Sequence, residues 1–248
     1  MNKRIAVVTG GLGGLGVEIC RYLARSGHNV VAADLDTNAE RIEQFRQEMN
    51  DVSDQIRFEG VNVSDFDSCT SLISRIAQSM GPIDVLVNAA GITRDGTLRK
   101  MNHAQWHDVL NVNLNGVYNM CRQVVDSMCD RGYGRIINIS SVNGQTGQFG
   151  QTNYAASKAG MHGFTMSMAR EVARKGVTVN SVSPGYCRTR LVMTIPENVR
   201  NDIIAHIPVG RIGEPSEIAR VVDFLAAEES GFITGANIPV NGGYFMDF

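Results

Sequence analysis

Tyr154 and Lys158 stand four residues apart in the run Tyr-Ala-Ala-Ser-Lys. On a helix, side chains at that spacing leave the same face. A fixed ammonium beside a phenol favours the phenolate and draws the tyrosine pKa down from its usual value of about 10. Such a phenol is a usable proton donor and acceptor. Ser141 lies thirteen residues upstream, at the end of the strand-like run 134–141, where it could hydrogen-bond the same substrate oxygen. Together the three could move a proton onto or off a carbonyl or alcohol oxygen. The pair alone is weak evidence, because a tyrosine ring lying over a lysine stem on a solvated helix gives the same spacing. The elements that must position it decide the matter.

Short β-branched runs alternate with longer amphipathic stretches. The spacing predicts strands at 4–9, 29–33, 56–61, 83–87, 134–139, 177–183 and 236–240, and helices near 15–26, 38–49, 65–80, 102–130, 153–175 and 215–227. Strands alternating with helices imply a parallel sheet covered on both faces. Apolar strands such as Ile5-Ala-Val-Val8 agree, since central parallel strands are buried on both sides. With no linker, repeat or low-complexity segment, the chain reads as one α/β domain over 1–248: a doubly wound, mostly parallel, Rossmann-like sheet of seven strands.

The first strand runs into Thr9-Gly-Gly-Leu-Gly-Gly-Leu-Gly16 and then a helix. A glycine-rich turn between a first strand and a helix lets backbone approach a pyrophosphate at the helix N-terminus. Two registers fit: Gly11, Gly13 and Gly16 with the common dinucleotide fingerprint, or Gly10, Gly14 and Gly16 with a variant. The strand ends at Thr9, which favours the second. The turn as a whole (Gly10, Leu12, Gly13, Gly14, Leu15, Gly16) is the expected pyrophosphate cradle. Asp34, at the end of the second strand, is placed to accept a hydrogen bond from an adenosine ribose 2′-hydroxyl and to repel a 2′-phosphate. Glu40 adds negative charge nearby, and Arg41 is the local cation that could compensate. The dinucleotide expected is NAD(H), with NADP(H) the alternative. Asn62 and Val63 follow the third strand, where adenine would lie. The small residues of Asn88-Ala89-Ala90-Gly91 close the fourth strand where cofactor would pass close.

Of the 248 residues, 43% are hydrophobic and 19% charged, and the net charge is −2. A large core follows, disorder does not, and there is no basic field to hold nucleic acid. No apolar run approaches the roughly 20 residues that span a bilayer. Residues 1–4 lead into an apolar strand with no secretory signal, and the five cysteines are odd in number and scattered. A reduced, cytoplasmic protein is expected. Residues 188–208 break the alternation. Leu191, Val192, Ile195, Val199, Ile203 and Ile204 give them a helical pattern, either a packed surface helix or a mobile substrate lid. Arg94, Arg99 and Lys100 form a local cationic cluster, either a solvated loop or an attractor for phosphates. His103 and His107 have zinc-ligand spacing, but Ala104 occupies the place where a metalloprotease needs glutamate. No metal is expected.

Taken together, Thr9-Gly10-x-x-x-Gly14-x-Gly16, Asn88-Ala-Ala-Gly91, Asn113, Ser141, Tyr154-x-x-x-Lys158 and Pro184-Gly185 resemble the short-chain dehydrogenase/reductase family, in order and across the full chain. The resemblance implies that Tyr154 gives the proton to a carbonyl, and that Ser141 holds the substrate oxygen. It implies that Lys158 holds the nicotinamide ribose and lowers the tyrosine pKa, and that Asn113 anchors a water linking Lys158 to solvent. Pro184, Gly185 and Thr189 would border the nicotinamide. The runs Gly91-Ile-Thr-Arg-Asp95 and 138–154 look, more narrowly, like the acetoacetyl-CoA reductases and the related 3-oxoacyl-carrier-protein reductases. There Asp95, Gln148, Phe149, Gln151 and Tyr186 would line the acyl pocket, and the substrate would be an acyl-CoA or acyl-carrier-protein. A small alcohol or sugar dehydrogenase, and a dinucleotide-binding sensor without catalysis, are the rival readings. Relatives build subunit contacts from the long helices and the C-terminal segment, so a homotetramer is implied. Departures from the narrower group are Asp34 and Glu40 in place of basic residues, Pro196 in the lid, and Arg190 after Thr189.

Overall fold

The structure is a computed structural model that describes residues 3–35 and 37–246 and, of Leu191, the backbone alone. Met1 and Asn2, read above as the lead into the first strand, and the Leu191 side chain, read as a lid position, lie outside the described residues.

Strand β1 (Ile5–Thr9) leads through the glycine turn to α1 (Gly16–Arg25), β2 (Asn29–Asp34), α2 (Ala39–Glu48), β3 (Ile56–Gly60), α3 (Phe66–Ser79) and β4 (Val85–Asn88). The second half holds α4 (His103–Leu110), α5 (Gly116–Arg131), β5 (Gly134–Ile139), the single turn α6 (Asn143–Thr146), α7 (Thr152–Val172) and β6 (Val177–Pro184). It ends with α8 (Arg190–Met193), α9 (Glu197–Ala205), α10 (Pro215–Ala226) and β7 (Asn237–Val240). The seven strands form one sheet in the order β3-β2-β1-β4-β5-β6-β7, every pair parallel. From β1 the chain winds outward first to β2 and β3, then returns to β4 on the other side. That reversal opens a crevice beyond the carboxyl ends of β1 and β4, where such sheets bind ligands.

Alternation along each strand feeds two cores. Ala6 and Val8 of β1 face α1 and α10, packing with Ile19, Leu23, Val222 and Leu225. Ile5 and Val7 face α3, α5 and α7, packing with Leu72, Ile76, Met120 and Met161. Among the described residues the five cysteines are all free thiols, four of them buried, and no helix is long and apolar enough to cross a membrane.

The amino ends of the strands are tied by an arginine. Arg135 of β5 is 3% exposed, and its guanidinium donates to the carbonyls of Gly134, Gly176, Ala227 and Glu228 at 2.9–3.3 Å. Arg135 and Arg4 both lie over the Tyr133 ring, at 4.4 and 3.6 Å from its centroid.

Two predicted helices differ from expectation. The single helix expected over 102–130 is divided by a π turn at Asn111–Asn115. Wider turns of this kind recur at functional sites. Here the turn brings Asn113 inward, fully buried, while Gly116 just beyond has no room for a Cβ, which would meet Val63 Cγ2 at 2.9 Å. The insertion at 188–208 is two short helices, α8 and α9, because Pro196 caps the second and cannot continue the first.

Candidate active site

The glycine turn is built by close backbone approach. Gly10 takes φ +66°, and a Cβ there would lie 2.8 Å from the Ala90 backbone. A Cβ on Gly14 would meet Thr189 at 2.9 Å, and one on Gly16 would meet the Gly10 carbonyl at 2.1 Å. Gly13 is less confined, with 3.1 Å to the nearest atom. All three glycines of the second register are thus tightly placed. Gly11 is tight as well, because its Cβ would strike Ala32 of β2 at 2.9 Å. No side chain caps the start of α1, so its amide dipoles are available to an anion.

Two cavities run across the carboxyl edge from this turn. One, about 360 Å³, is lined by Gly10, Asp34, Leu35, Asn62, Val63, Ala90 and Gly91 among others. The next, about 430 Å³, is lined by Leu15, Ala89, Gly91, Ser141, Tyr154, Lys158, Pro184, Gly185 and Thr189 among others. An elongated dinucleotide fits this arrangement: adenosine beside Asp34, pyrophosphate at the glycine turn, nicotinamide beside Tyr154. Asp34 is already oriented, since its Oδ2 accepts the Leu12 N–H at 3.0 Å. Arg41 is turned to the same turn. It donates to the Leu12 carbonyl at 2.7 Å and pairs with Glu48 at 3.3 Å. Thr9 Oγ1 accepts the amides of Ala89 and Ala90 at 3.1 and 3.2 Å, closing β4 against β1.

Tyr154 and Lys158 project from the first turns of α7, and Ser141 follows β5. The Lys158 Nζ lies 5.7 Å from the Tyr154 ring centroid and donates to the Ile139 carbonyl at 2.7 Å. Ser141 Oγ accepts the Asn143 N–H at 3.2 Å, so its own hydrogen can be given to another oxygen. Burial governs the titration of both partners. It pushes the Tyr154 phenol up, a hydrogen bond from Ser141 opposes this, and the Asp95 charge adds to the rise. The expected drop in the tyrosine pKa is therefore not found. The ammonium that was to cause it is itself buried, and its own pKa is driven down to about 8. Lys158 is charged below that pH and neutral above it. Plotted against pH, kcat/KM for the dinucleotide, which reports the free protein, falls as pH rises through about 8. Lys158→Arg, which keeps its charge, shifts the limb upward. A limb that stays in place in the variant would exclude Lys158 as its source.

Beyond Tyr154 lies a third cavity of about 370 Å³, lined by Thr93, Asp95, Ser141, Val142, Asn143, Gln151, Tyr154, Gly185, Tyr186, Val192, Thr194 and Ile195. Tyr154 and Ser141 belong to both this cavity and the nicotinamide cavity. The two hydroxyls therefore stand where these cavities meet. Val192 and Ile195, expected in the lid, supply apolar wall, whereas Val199 of α9 is largely exposed.

Not every expected site residue reaches these cavities. Asn88 sits beneath them, 3% exposed, donating to Asn138 Oδ1 at 2.9 Å. It braces β4 against β5 rather than lining a cavity. Gln148 and Phe149 are outside the substrate cavity, and Phe149 is 87% exposed. The Asn113 carboxamide is taken up by Ile92, accepting its N–H at 2.8 Å and donating to its carbonyl at 3.0 Å, with Ser157 Oγ at 3.2 Å. Thr93 and Asn143 were not foreseen. Their only sequence signal is adjacency to Asp95 and Ser141. His162, one turn beyond Lys158, meets Ser183 Oγ at 3.2 Å. Ser183 in turn donates to Asn237 at 2.7 Å, joining α7 to β6 and β7. His103 and His107 stack at 3.9 Å at the start of α4, and no cluster of three metal-ligating side chains occurs among the described residues.

The model of the short chain dehydrogenase family matches residues 4–200. The chain is 54% identical over 243 residues to an acetoacetyl-CoA reductase of Allochromatium vinosum, covering 98% of this chain and 99% of that one. It is 52% identical over 247 residues to an acetoacetyl-CoA reductase of Cupriavidus necator, covering 99% and 100%. A 3-oxoacyl-acyl-carrier-protein reductase of Haemophilus influenzae is 40% identical over 247 residues, covering 99% and 100%. With its glycine turn, its Ser141–Tyr154–Lys158 grouping and an all-parallel doubly wound sheet, the chain belongs to the short-chain dehydrogenase family and is an oxidoreductase.

Proposed function

We propose that this enzyme reduces acetoacetyl-CoA to 3-hydroxybutyryl-CoA with NADH. The observation that carries the reading is the position of Tyr154 and Ser141 at the junction of the nicotinamide and substrate cavities. The names borne by relatives at 54% and 52% identity support the thioester. When bound, the dinucleotide supplies a hydride for the carbonyl carbon. The chain handles the charge and the proton. Ser141 donates a hydrogen bond to the carbonyl oxygen, and Tyr154 gives it a proton as negative charge develops. Lys158 holds the ribose and lends its positive charge, and Asn113 positions the water through which Tyr154 recovers its proton. Residues 188–208 act as the lid, with α8 as the part that meets substrate.

Asp34 favours NADH. Two like charges about 5 Å apart at an effective dielectric of about 20 repel by about 3 kcal/mol, so a 2′-phosphate is disfavoured there. Arg41 is already engaged by the Leu12 carbonyl and Glu48. Steady-state assay of acetoacetyl-CoA with each reduced dinucleotide tests both parts of the reading. Asp34→Asn keeps an acceptor for the Leu12 amide but removes the charge. It lowers the NADH-over-NADPH ratio of kcat/KM at least tenfold. Equal use of both dinucleotides by the unmodified enzyme would refute the preference, and failure to oxidise either would refute the substrate.

The carrier-protein thioester is the second reading. The relative at 40% identity and the cationic cluster of Arg94, Arg99 and Lys100 favour it. Comparing kcat/KM on the CoA and carrier-protein forms separates the two. The presence of serine, tyrosine and lysine together argues against a sensor without catalysis. A cavity between α5 and α7, lined by Tyr118, Val125, Phe164 and Met168 among others, leaves apolar side chains at the surface. It supports subunit association, proposed as a homotetramer, which sedimentation would test.

A further inference from the structure

The substrate cavity carries one kind of charge. Of its twelve lining residues only Asp95 bears a carboxyl, and no lysine, arginine or histidine shares the wall. Two neighbouring cations lie off this wall. Arg94 lines the neighbouring cavity and donates to the Thr93 carbonyl at 2.9 Å, and Lys158 is held by the Ile139 carbonyl.

A directional chain fixes the polarity of the wall. Asp95 is a carboxylate and can only accept, so Gln151 must present its Nε2 to Asp95 Oδ2, at 3.0 Å. That leaves Gln151 Oε1 to accept from Asn143 Nδ2, at 2.9 Å. Asn143 then ends the chain with its Oδ1, which is buried and has no hydrogen-bond partner. Each carboxamide gives one of its two N–H groups to the chain and keeps the other. The chain thereby holds the Asp95 carboxylate in place on the cavity wall, while the Asn143 Oδ1 is buried. A substrate carboxylate would find hydroxyls on the wall but no cation, and it would meet the negative charge of Asp95. A neutral ester or thioester carbonyl meets no such repulsion.

We infer that the cavity rejects free 3-oxo carboxylates and admits 3-oxo esters and thioesters, with Asp95 as the specificity-determining residue and Asn143 and Gln151 as its positioning partners. The inference rests on the reading of the cavity as a 3-oxoacyl site and adds the class of compound that it excludes. Two unit charges about 6 Å apart at an effective dielectric of about 20 discriminate on the order of a hundredfold.

Ethyl acetoacetate and acetoacetate test it, since they share the reacting ketone and differ in the charge at the acyl end, the acid being ionised at neutral pH. The unmodified enzyme should prefer the ester by about a hundredfold in kcat/KM. Asp95→Asn, which keeps an oxygen for Gln151, should lower that preference at least tenfold. Asp95→Ser, which removes the carboxylate with less bulk, should do the same, and thermal melting of each variant reports whether it is folded. Equal use of ester and acid by the unmodified enzyme, a preference unchanged in both folded variants, or no turnover of the ester would each overturn the inference. Acetoacetyl-CoA is assayed in parallel. Its failure as a substrate would refute the proposed function, while the ester-to-acid ratio would still judge the cavity.

Discussion

Tyr154→Phe lowers kcat for acetoacetyl-CoA by about 10²–10⁴-fold, the range for losing a positioned general acid, and leaves NADH affinity within about twofold. The argument is one of proton supply. Tyr154 lines both the nicotinamide and the substrate cavity, and burial keeps its phenol protonated. Two other donors stand nearby. Ser141 is an alcohol that holds its proton too tightly to transfer it, and the Lys158 ammonium is anchored to Ile139. Removing one hydroxyl thus deletes the acid while sparing the ring's packing, the glycine turn, Asp34 and Lys158. Single-turnover kinetics measure the first effect, and quenching of protein fluorescence by NADH measures the second. A variant with near-normal turnover would mean that another group protonates the substrate.

Gly16→Ala weakens NADH binding at least a hundredfold, which corresponds to roughly 2.7 kcal/mol, and lowers the melting temperature. One added methyl would sit 2.1 Å from the Gly10 carbonyl oxygen, which is backbone and cannot swing aside. That carbonyl also accepts the Gly13 amide at 3.0 Å. Pushing it away therefore reshapes the turn on which the pyrophosphate would rest. Overpacking of this kind costs about 1–3 kcal/mol and sometimes more. Gly13→Ala, whose methyl would lie 3.1 Å from the same oxygen, should lose far less. Equal losses in the two variants would rule out the close contact as the cause.

The strands, the glycine turn and the Ser141–Tyr154–Lys158 grouping were legible because each depends on neighbours a few residues away. Period-two apolar runs give strands, and i,i+4 spacing gives a shared helix face. Features that depend on distant chain were not. The π turn exists because Asn113 is drawn to Ile92 and Gly116 must clear Val63, contacts spanning about 20 and 50 residues. Asn88 stands in a motif expected to border cofactor, yet its side chain points to Asn138 of the next strand. Phe149 has the character of a pocket wall, yet it lies on a turn whose flanking residues Gly147 and Gly150 both take positive φ. The shift of the Tyr154 phenol had the wrong sign because spacing shows the neighbouring charge but not the burial that outweighs it. The Asp95–Gln151–Asn143 chain joins residues 8 and 56 positions apart, and no local pattern announces such a chain.

The guanidinium that gathers four carbonyls at the amino edge of the sheet has a consequence for how this enzyme can vary. A scaffold riveted at one rim can have its opposite rim rebuilt without coming apart. New specificities should therefore arise by exchanging loops around the crevice, with the Arg135 rim left as the shared chassis. Changes at that rim would be felt as failures to fold, whatever compound is offered.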